Sequence, residues 1–184
     1  EIERHQPVED TLVLGDDDVT FQIEGILKVR DLFAADPDLA LVLGWRTERM
    51  PPNARSGTRL TRFNSGRTAA SELVVRRNAL IANGITFDTQ FGLGARYGLG
   101  EEYVFIADAL RSGLKGLNVP IATCSHPHDS TGDNWADPDI LFARQAVLRR
   151  VFGKTSALAR SAYAWKHRRK FKSRLQAALF AIGY

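Results

Sequence analysis

Three consecutive aspartates, Asp16, Asp17 and Asp18, follow directly on the short apolar run at residues 11–15. Carboxylates this close together repel one another, and a protein accommodates them best where a cation neutralises the charge. The apolar run predicts a β-strand, and in open α/β sheets ligands bind at the carboxyl ends of strands. The triplet therefore predicts a metal or phosphate site at a sheet edge. A solvated acidic turn that caps the next helix is the alternative.

A glycine-rich segment from Gly84 to Gly100 is the second unusual feature of the sequence. Its five glycines indicate backbone angles that other residues avoid, or a close approach to a ligand. Apolar residues then recur at helical spacing and predict a helix that ends near Gly113. Glu101 and Glu102 fall in the first turn of this helix, where one carboxylate suffices to compensate the helix dipole. The second is left for chemistry.

Two histidines flank a proline after the last predicted strand, in the run His126-Pro127-His128. The proline stiffens the segment, so we expect one of the two histidines to bind metal. A structural or simply exposed histidine is the alternative. Ser130 and Thr131 follow and can donate to a phosphate, although a plain turn explains them nearly as well.

The predicted elements alternate between strands and helices, which indicates an α/β fold. Residues 48–65 are polar and contain two prolines and a glycine, so they predict a loop. Strands are predicted over residues 11–14, 39–45, 71–75 and 118–123, and helices over residues 21–35 and 78–83.

Basic residues are concentrated at the end of the chain. Residues 140–184 contain eleven Lys or Arg and no acid, whereas residues 1–139 carry fourteen bases and twenty-one acids, a net charge of −7. Helical spacing, with Asp139 as the expected cap, predicts a basic amphipathic helical tail over residues 139–184. Such a tail suits an anionic membrane surface, and nucleic acid is disfavoured because no recognition fold accompanies it. The alternative is a solvated helix face that packs on the domain.

The remaining composition is that of an ordinary globular protein, with 44% hydrophobic residues. The single cysteine, Cys124, cannot form an internal disulfide and lacks zinc-ligand spacing. No apolar run approaches the roughly 18 residues of a membrane-spanning helix. We therefore expect a cytoplasmic protein, peripheral at the inner face of the membrane if the tail binds lipid.

The order of these motifs carries a family resemblance. An acidic triplet after a strand precedes the run Phe87-Asp88-Thr89-Gln90-Phe91-Gly92, and Gly100-Glu101-Glu102 then opens a helix ahead of the histidines. This combination, from about Leu12 to Trp135, resembles a family 2 glycosyltransferase with the GT-A fold. The resemblance implies a GT-A-like (Rossmann-like) mixed sheet flanked by helices. It also implies a metal-dependent, inverting sugar transfer from a nucleotide-sugar donor to a saccharide or lipid-linked acceptor.

The resemblance implies roles for single residues. Asp16 and Asp18 match the element that holds Mn²⁺ or Mg²⁺ against the donor diphosphate, and by the family's register His126 completes the metal shell. Glu102 matches the base that takes the acceptor proton, with Glu101 beside it. Further implied contacts are Asp16, Asp17, Ser130 and Thr131 with the diphosphate, and Asp88, Gly92 and Gly94 with the acceptor. For Asp88, a turn residue bonded to nearby backbone is the alternative.

The resemblance covers only the second half of a GT-A domain. Only about fifteen residues precede Asp16, and the chain begins with Glu1. We therefore expect a fragment that lacks the N-terminal nucleotide-binding βαβ unit. In this interpretation residues 1–138 are the C-terminal portion of the glycosyltransferase domain, and residues 139–184 are the basic tail.

Two other classes of function stay open. Asp, Glu and His around a divalent ion also activate water, as in a metal-dependent phosphoesterase or nuclease. That class explains the acids and the basic tail but not the glycine-rich loop. The other class is a non-catalytic binding module, a truncated relative that keeps the fold without a donor site.

Overall fold

The computed structural model describes residues 10–15, 17–53, 57–127, 132 and 134–184. By its internal contacts the chain forms two compact units. We call Glu1–Thr86 with Phe105–Pro127 the sheet unit, and Phe87–Val104 with His128–Tyr184 the helical unit. The predicted tail, residues 139–184, belongs to the helical unit together with the glycine-rich loop. The predicted division at residue 138 stays a prediction.

The sheet unit is built on a mixed β-sheet. Within the described residues its strands are β1 (Thr11–Val13), β2 (Thr20–Phe21), β3 (Leu39–Arg46), β4 (Thr58–Arg59), β5 (Leu73–Arg76) and β6 (Lys115–Ser125). They lie in the order β1-β5-β3-β6-β2, and β4 pairs with β6. The pairing of β3 with β6 is parallel, and the other pairings of these strands are antiparallel.

Strand β3 is the middle strand of the sheet, and both of its faces are buried. Its run from Leu39 to Leu43 is at most 1% exposed, as expected for a strand covered by helices on both sides. Leu39 and Val42 pack with α1 (Ile23–Ala35) through Val29 and Phe33. The opposite layer contains residues of α2 (Arg77–Ala82) and of α3 (Glu101–Arg111), namely Leu80, Phe105, Ile106 and Ala109. The predicted α/β class, with a mixed sheet flanked by helices, is confirmed.

The helical unit contains the loop over residues 87–100, the first turn of α3 and three further helices. These helices are α4 (Pro138–Phe152), α5 (Ser156–Lys166) and α6 (Arg174–Ile182). The predicted cap of α4, Asp139, was wrong by two residues: the Asp137 side chain caps the helix by accepting from the Asp139 N–H, and Asp139 lies in the first turn. The predicted apolar face of α4 is buried, as Leu141, Leu148 and Phe152 show.

Most predicted elements are present, with shifted bounds. The helix predicted from residue 21 begins at Ile23, because Phe21 instead pairs with Cys124 as part of β2. The strand predicted from residue 71 begins at Leu73, after a short 3-10 turn. The predicted loop over residues 48–65 contains the two-residue strand β4. None of the helices in the described part of the chain combines the length and apolarity needed to cross a bilayer.

Candidate functional site

The parallel strands β3 and β6 bring three polar segments together at one edge of the sheet. Arg46 lies opposite Cys124 at the carboxyl ends of these strands, and Thr20 of β2 pairs with Ser125. Residues that follow β3, follow β6 and precede β2 therefore meet at this edge. It is the edge at which open α/β sheets bind ligands. We call Asp18, Arg46, Glu48 and His126 the sheet-edge cluster.

Asp18 and His126 are in direct contact in this cluster. The His126 Nε2 lies 3.0 Å from the Asp18 Oδ2, with side-chain exposures of 15% and 50%. Hence the pair combines an ordered imidazole with a carboxylate that solvent and small ligands can reach. The structure thus joins two of the predicted metal ligands, 108 positions apart in the chain.

Arg46 constrains the proton on the His126 ring. The Arg46 Nη1 lies 3.3 Å from the His126 Nδ1, and a guanidinium can only donate hydrogen bonds. Nδ1 is then the acceptor, and a neutral ring carries its proton on Nε2, which donates to Asp18. Coordination of a metal through Nε2 would instead place the proton on Nδ1, facing the guanidinium. This arrangement favours His126 as the residue that orients Asp18.

Glu48 fixes the segment that carries His126. Its carboxylate accepts hydrogen bonds from the Ser125 hydroxyl and, at 3.3 Å, from the His126 backbone N–H. The hydrogen bond from Ser125 is the main cause that lowers the pKa of Glu48. Thr47 adds a hydrogen bond from its hydroxyl to the Cys124 carbonyl, at 3.1 Å. The end of β6 is therefore tied to the residues that follow β3.

An ion pair between the half-buried Arg67 and the buried Glu72 lies next to the Arg46 backbone. Glu72 is 2% exposed and accepts from the Arg46 backbone N–H at 3.1 Å and from Arg67 Nη1 at 3.3 Å. Arg67 also lies 3.5 Å above the Trp45 ring and donates to the Asn118 side chain at 2.7 Å. Burial lowers the pKa of Arg67, and the charge of Glu72 opposes this shift. The paired charges hold the end of β3 in place.

The sheet-edge cluster fits a divalent cation that is shared with a ligand. Within the described residues, no group of three or more His, Cys, Asp or Glu could hold a metal by itself. Mg²⁺, however, is usually held by one or two carboxylates plus phosphate and water oxygens. Asp18 supplies one such carboxylate at a half-exposed position. Asp18 could therefore hold such a cation only together with further oxygen ligands.

The helical unit has its own cleft, of about 490 Å³, formed by the glycine-rich loop and the start of α3. Gly92, Gly94 and Gly100 have φ values of 108°, 77° and 93°, which side chains rarely adopt. A Cβ atom on Gly92 would lie 3.1 Å from the Glu101 carboxyl carbon, so this carboxylate sits against the loop. The cleft is lined by Phe87, Asp88, Thr89, Phe91, Gly92, Leu93, Gly94, Ala95 and Glu101.

Three contacts position the segments that form this cleft. Asp88 pairs with the Arg150 Nε at 3.1 Å and accepts from the Gln90 N–H at 3.1 Å. The second contact is the local turn bond that was the alternative to a role in acceptor binding. At Gly100, a Cβ would lie 2.4 Å from a Val147 methyl carbon, so the start of α3 lies directly on α4.

The structure places some predicted site residues and leaves others undescribed. Asp17 lies in an exposed turn next to Asp18, and Glu102 is partly buried in the first turn of α3. Glu102 also makes further interactions. Asp16, His128, Ser130 and Thr131 lie outside the described residues.

Sequence reasoning missed Arg46, Glu48 and the ion pair of Arg67 with the buried Glu72. A usable signal was present for the first two, since they follow the strongest predicted strand just as the aspartates follow the first. No spacing signal links Glu72 to Arg46. No protein-family model and no curated protein matches this chain.

Proposed function

We propose that this chain belongs to a GT-A glycosyltransferase domain. It would transfer a sugar, with inversion, from a nucleotide-sugar to a saccharide or lipid-linked acceptor. The observation that carries the proposal is the contact of Asp18 with His126 at the carboxyl ends of two parallel strands. The resemblance of the acidic triplet, the glycine-rich loop and the double-glutamate helix start to family 2 glycosyltransferases supports the same reading.

In this proposal the sheet-edge cluster binds the donor diphosphate through Mn²⁺ or Mg²⁺. Asp18 holds the cation together with Asp16, and Asp17, Ser130 and Thr131 are the further candidates for contact with the diphosphate. When bound, such a cation stabilises the negative charge of the leaving diphosphate. The contact with Arg46 argues that His126 orients Asp18, whereas the family's register makes His126 a ligand.

The start of α3 supplies the proposed base. Glu102 takes the proton of the acceptor hydroxyl as that oxygen attacks the sugar carbon and the diphosphate leaves. Glu101 lies against Gly92, which suits a residue that holds the loop. Asp88, Gly92 and Gly94 line the cleft proposed for the acceptor.

Hydrolysis and transfer assays with Mn²⁺ test the proposal. The chain, or a longer protein that contains it, is incubated with a panel of nucleotide-sugars and saccharide or lipid-linked acceptors. We expect release of nucleoside diphosphate that rises when an acceptor is added and falls on Asp18→Asn. Asp31→Asn is the matched control, because Asp31 is an exposed helix residue that pairs with its neighbour Arg30.

Two outcomes would replace the proposal with one of its rivals. Release of inorganic phosphate or cleavage of nucleic acid, without sugar transfer, would indicate a metal-dependent phosphoesterase or nuclease. The sheet-edge cluster could serve that chemistry, because carboxylate-bound metals also activate water. If the folded chain binds no nucleoside diphosphate in the presence of any divalent metal ion, a non-catalytic binding module is the better description.

A further inference from the structure

The outward face of α6 is apolar. Leu175, Leu179 and Ile182 recur at helical spacing and are 69%, 39% and 66% exposed. Phe180, on the opposite face, is only 2% exposed. A surface helix normally shows the reverse pattern, with polar residues toward the solvent. This face therefore exposes apolar side chains that a surface helix normally buries.

Helix α6 is held firmly in this orientation. Phe180 packs against the rings of Tyr163 and Phe171, with centroids 5.7 Å and 5.3 Å away. Gln145 donates to the Tyr184 carbonyl at 2.8 Å, and Arg149 donates to the Gly183 carbonyl at 2.9 Å. Ser173 caps the start of the helix by accepting from the Gln176 N–H. These contacts fix the orientation of α6 within the helical unit, and they leave its apolar face exposed.

A basic segment leads into this face. Residues 166–172 contain five Lys or Arg, and residues 166–170 line a cleft of about 350 Å³. Trp165, just before them, is 72% exposed, and the Arg168 guanidinium lies 4.8 Å from its ring centroid. Tryptophan and basic residues together are typical of the boundary between lipid and water. We call residues 165–182 the basic-apolar surface.

We propose that the basic-apolar surface docks this protein on an anionic lipid membrane, with the apolar face of α6 buried at the headgroup boundary. The positive charge indicates which partner binds this surface, since residues 140–184 carry eleven basic residues and no acid. A second copy of this surface would be repelled by the same charge. Nucleic acid would pair with the cations but offers nothing to the aliphatic side chains. An anionic membrane can bind both the cations and the aliphatic side chains, as it does in amphipathic interfacial helices.

Vesicle sedimentation tests the proposal with the whole chain. We expect binding to vesicles of phosphatidylcholine with phosphatidylglycerol, little binding to phosphatidylcholine alone, and release by 1 M salt. Replacing Arg168, Arg169 and Lys172 together by Gln should weaken binding by roughly a hundredfold, because each basic residue near such a surface contributes about fivefold. The matched control replaces the exposed residues Lys28, Arg62 and Arg77 by Gln and should bind like the parent.

A second pair of variants tests the apolar part. Serine at Leu175, Leu179 and Ile182 should weaken vesicle binding at least tenfold, on the order of the lost interfacial burial. The control places serine at Ile23, Leu27 and Ile81, which are 63%, 43% and 60% exposed, and should leave binding unchanged. Circular dichroism confirms that each variant is folded.

Three results would overturn the inference. The first is a parent protein that ignores anionic vesicles at low salt. The second is an apolar variant that binds as well as the parent, since binding would then be electrostatic alone. The third is a dimer, detected by light scattering, that the apolar substitutions abolish, because the face would then bind another copy of the chain.

Discussion

Among single residues, Arg46 has the largest influence on what the sheet-edge cluster can do. Its side chain reaches the His126 ring at 3.3 Å, while its backbone N–H is fixed by the buried Glu72 at 3.1 Å. The ring proton is thereby directed to Asp18. Residues that orient a metal-binding carboxylate in this way typically change metal affinity by about 10–100-fold when they are lost.

The two roles of His126 predict different results for a glutamine substitution. If His126 orients Asp18 as a donor, His126→Gln keeps an N–H group and should bind Mn²⁺ with a nucleoside diphosphate within a few-fold of the parent. His126→Ala should bind about 10–100-fold more weakly. Calorimetry of the two variants makes the comparison. Equal and large losses in both would assign His126 to the metal shell.

The adjacent glutamates of α3 are predicted to differ in their effect on turnover. In an active enzyme that contains this chain, Glu102→Gln should lower turnover by about 10²–10⁴-fold, with donor affinity nearly intact, because a general base is lost. Glu101→Gln should cost less, because that carboxylate lies against Gly92. Steady-state kinetics with an acceptor separate the two. The reverse order of the two losses would make Glu101 the base.

Among the secondary-structure elements, close backbone contact sets the position of α1 on the sheet. A Cβ atom on Gly25 would lie 1.8 Å from the Ala122 carbonyl oxygen, inside any permitted distance. The obstacle is backbone, so α1 or β6 must shift if a side chain is added. The glycine is therefore required by packing, although glycine is a poor helix former.

Gly25→Ala should destabilise the protein for this reason. Helix propensity alone would make the substitution stabilising by about 0.8–1.0 kcal/mol, but overpacking of this kind costs about 1–3 kcal/mol. Urea unfolding gives the free energy of unfolding for parent and variant. Gly98→Ala is the control, since nothing lies within 4 Å of its Cβ position. A Gly25→Ala protein that is more stable than the parent would contradict the observed contact.

Local patterns predicted the elements that form from local causes. The continuous apolar run of β3 and the glutamate-led start of α3 were both found, because their signals lie within one segment. Strand β2 was missed because Phe21 belongs to it only through its pairing with Cys124, about a hundred residues away. Strand β4 likewise has two residues and depends on β6. Pairing between strands that are distant in the sequence leaves no periodic pattern from which either strand could be predicted.

The candidate site shows the same division. Asp18 and His126 each follow a predicted strand, and this position was sufficient to expect both at a sheet edge. Their contact, and the bond from Arg46, depend on which strands are parallel neighbours. The sequence contains no sign of that order. Glu72 was not expected in any role, because a buried acid is recognisable only by the cation that pairs with it.

Across the whole molecule, burial together with the basic charge of residues 140–184 affects stability as well as binding. Burial, followed by the charges of Lys166, Lys170 and Arg144, lowers the pKa of His167 to about 4. The centroid of the His167 ring lies 4.5 Å from that of the Tyr163 ring and 5.1 Å from that of the Trp135 ring. His167 is therefore neutral in the folded protein at pH 7.

Stability should fall as the pH drops from about 6.5 to about 4. In this window the unfolded chain protonates His167, whereas the folded protein does not, so acid favours unfolding. Above pH 6.5 the contribution is constant. Urea unfolding at several pH values should show a shallower decline for His167→Gln than for the parent. Identical slopes for the two proteins would show that the pKa of His167 is not lowered by folding.

The central claim is that Asp18 binds a divalent cation together with a diphosphate. Isothermal titration calorimetry of Mn²⁺ in the presence of a nucleoside diphosphate measures this directly, with UDP, GDP and CDP as the probes. We expect binding by the parent and by the control Asp31→Ala, and loss of most of that binding in Asp18→Ala. Binding of Mn²⁺ and diphosphate to Asp18→Ala as tight as to the parent would contradict it.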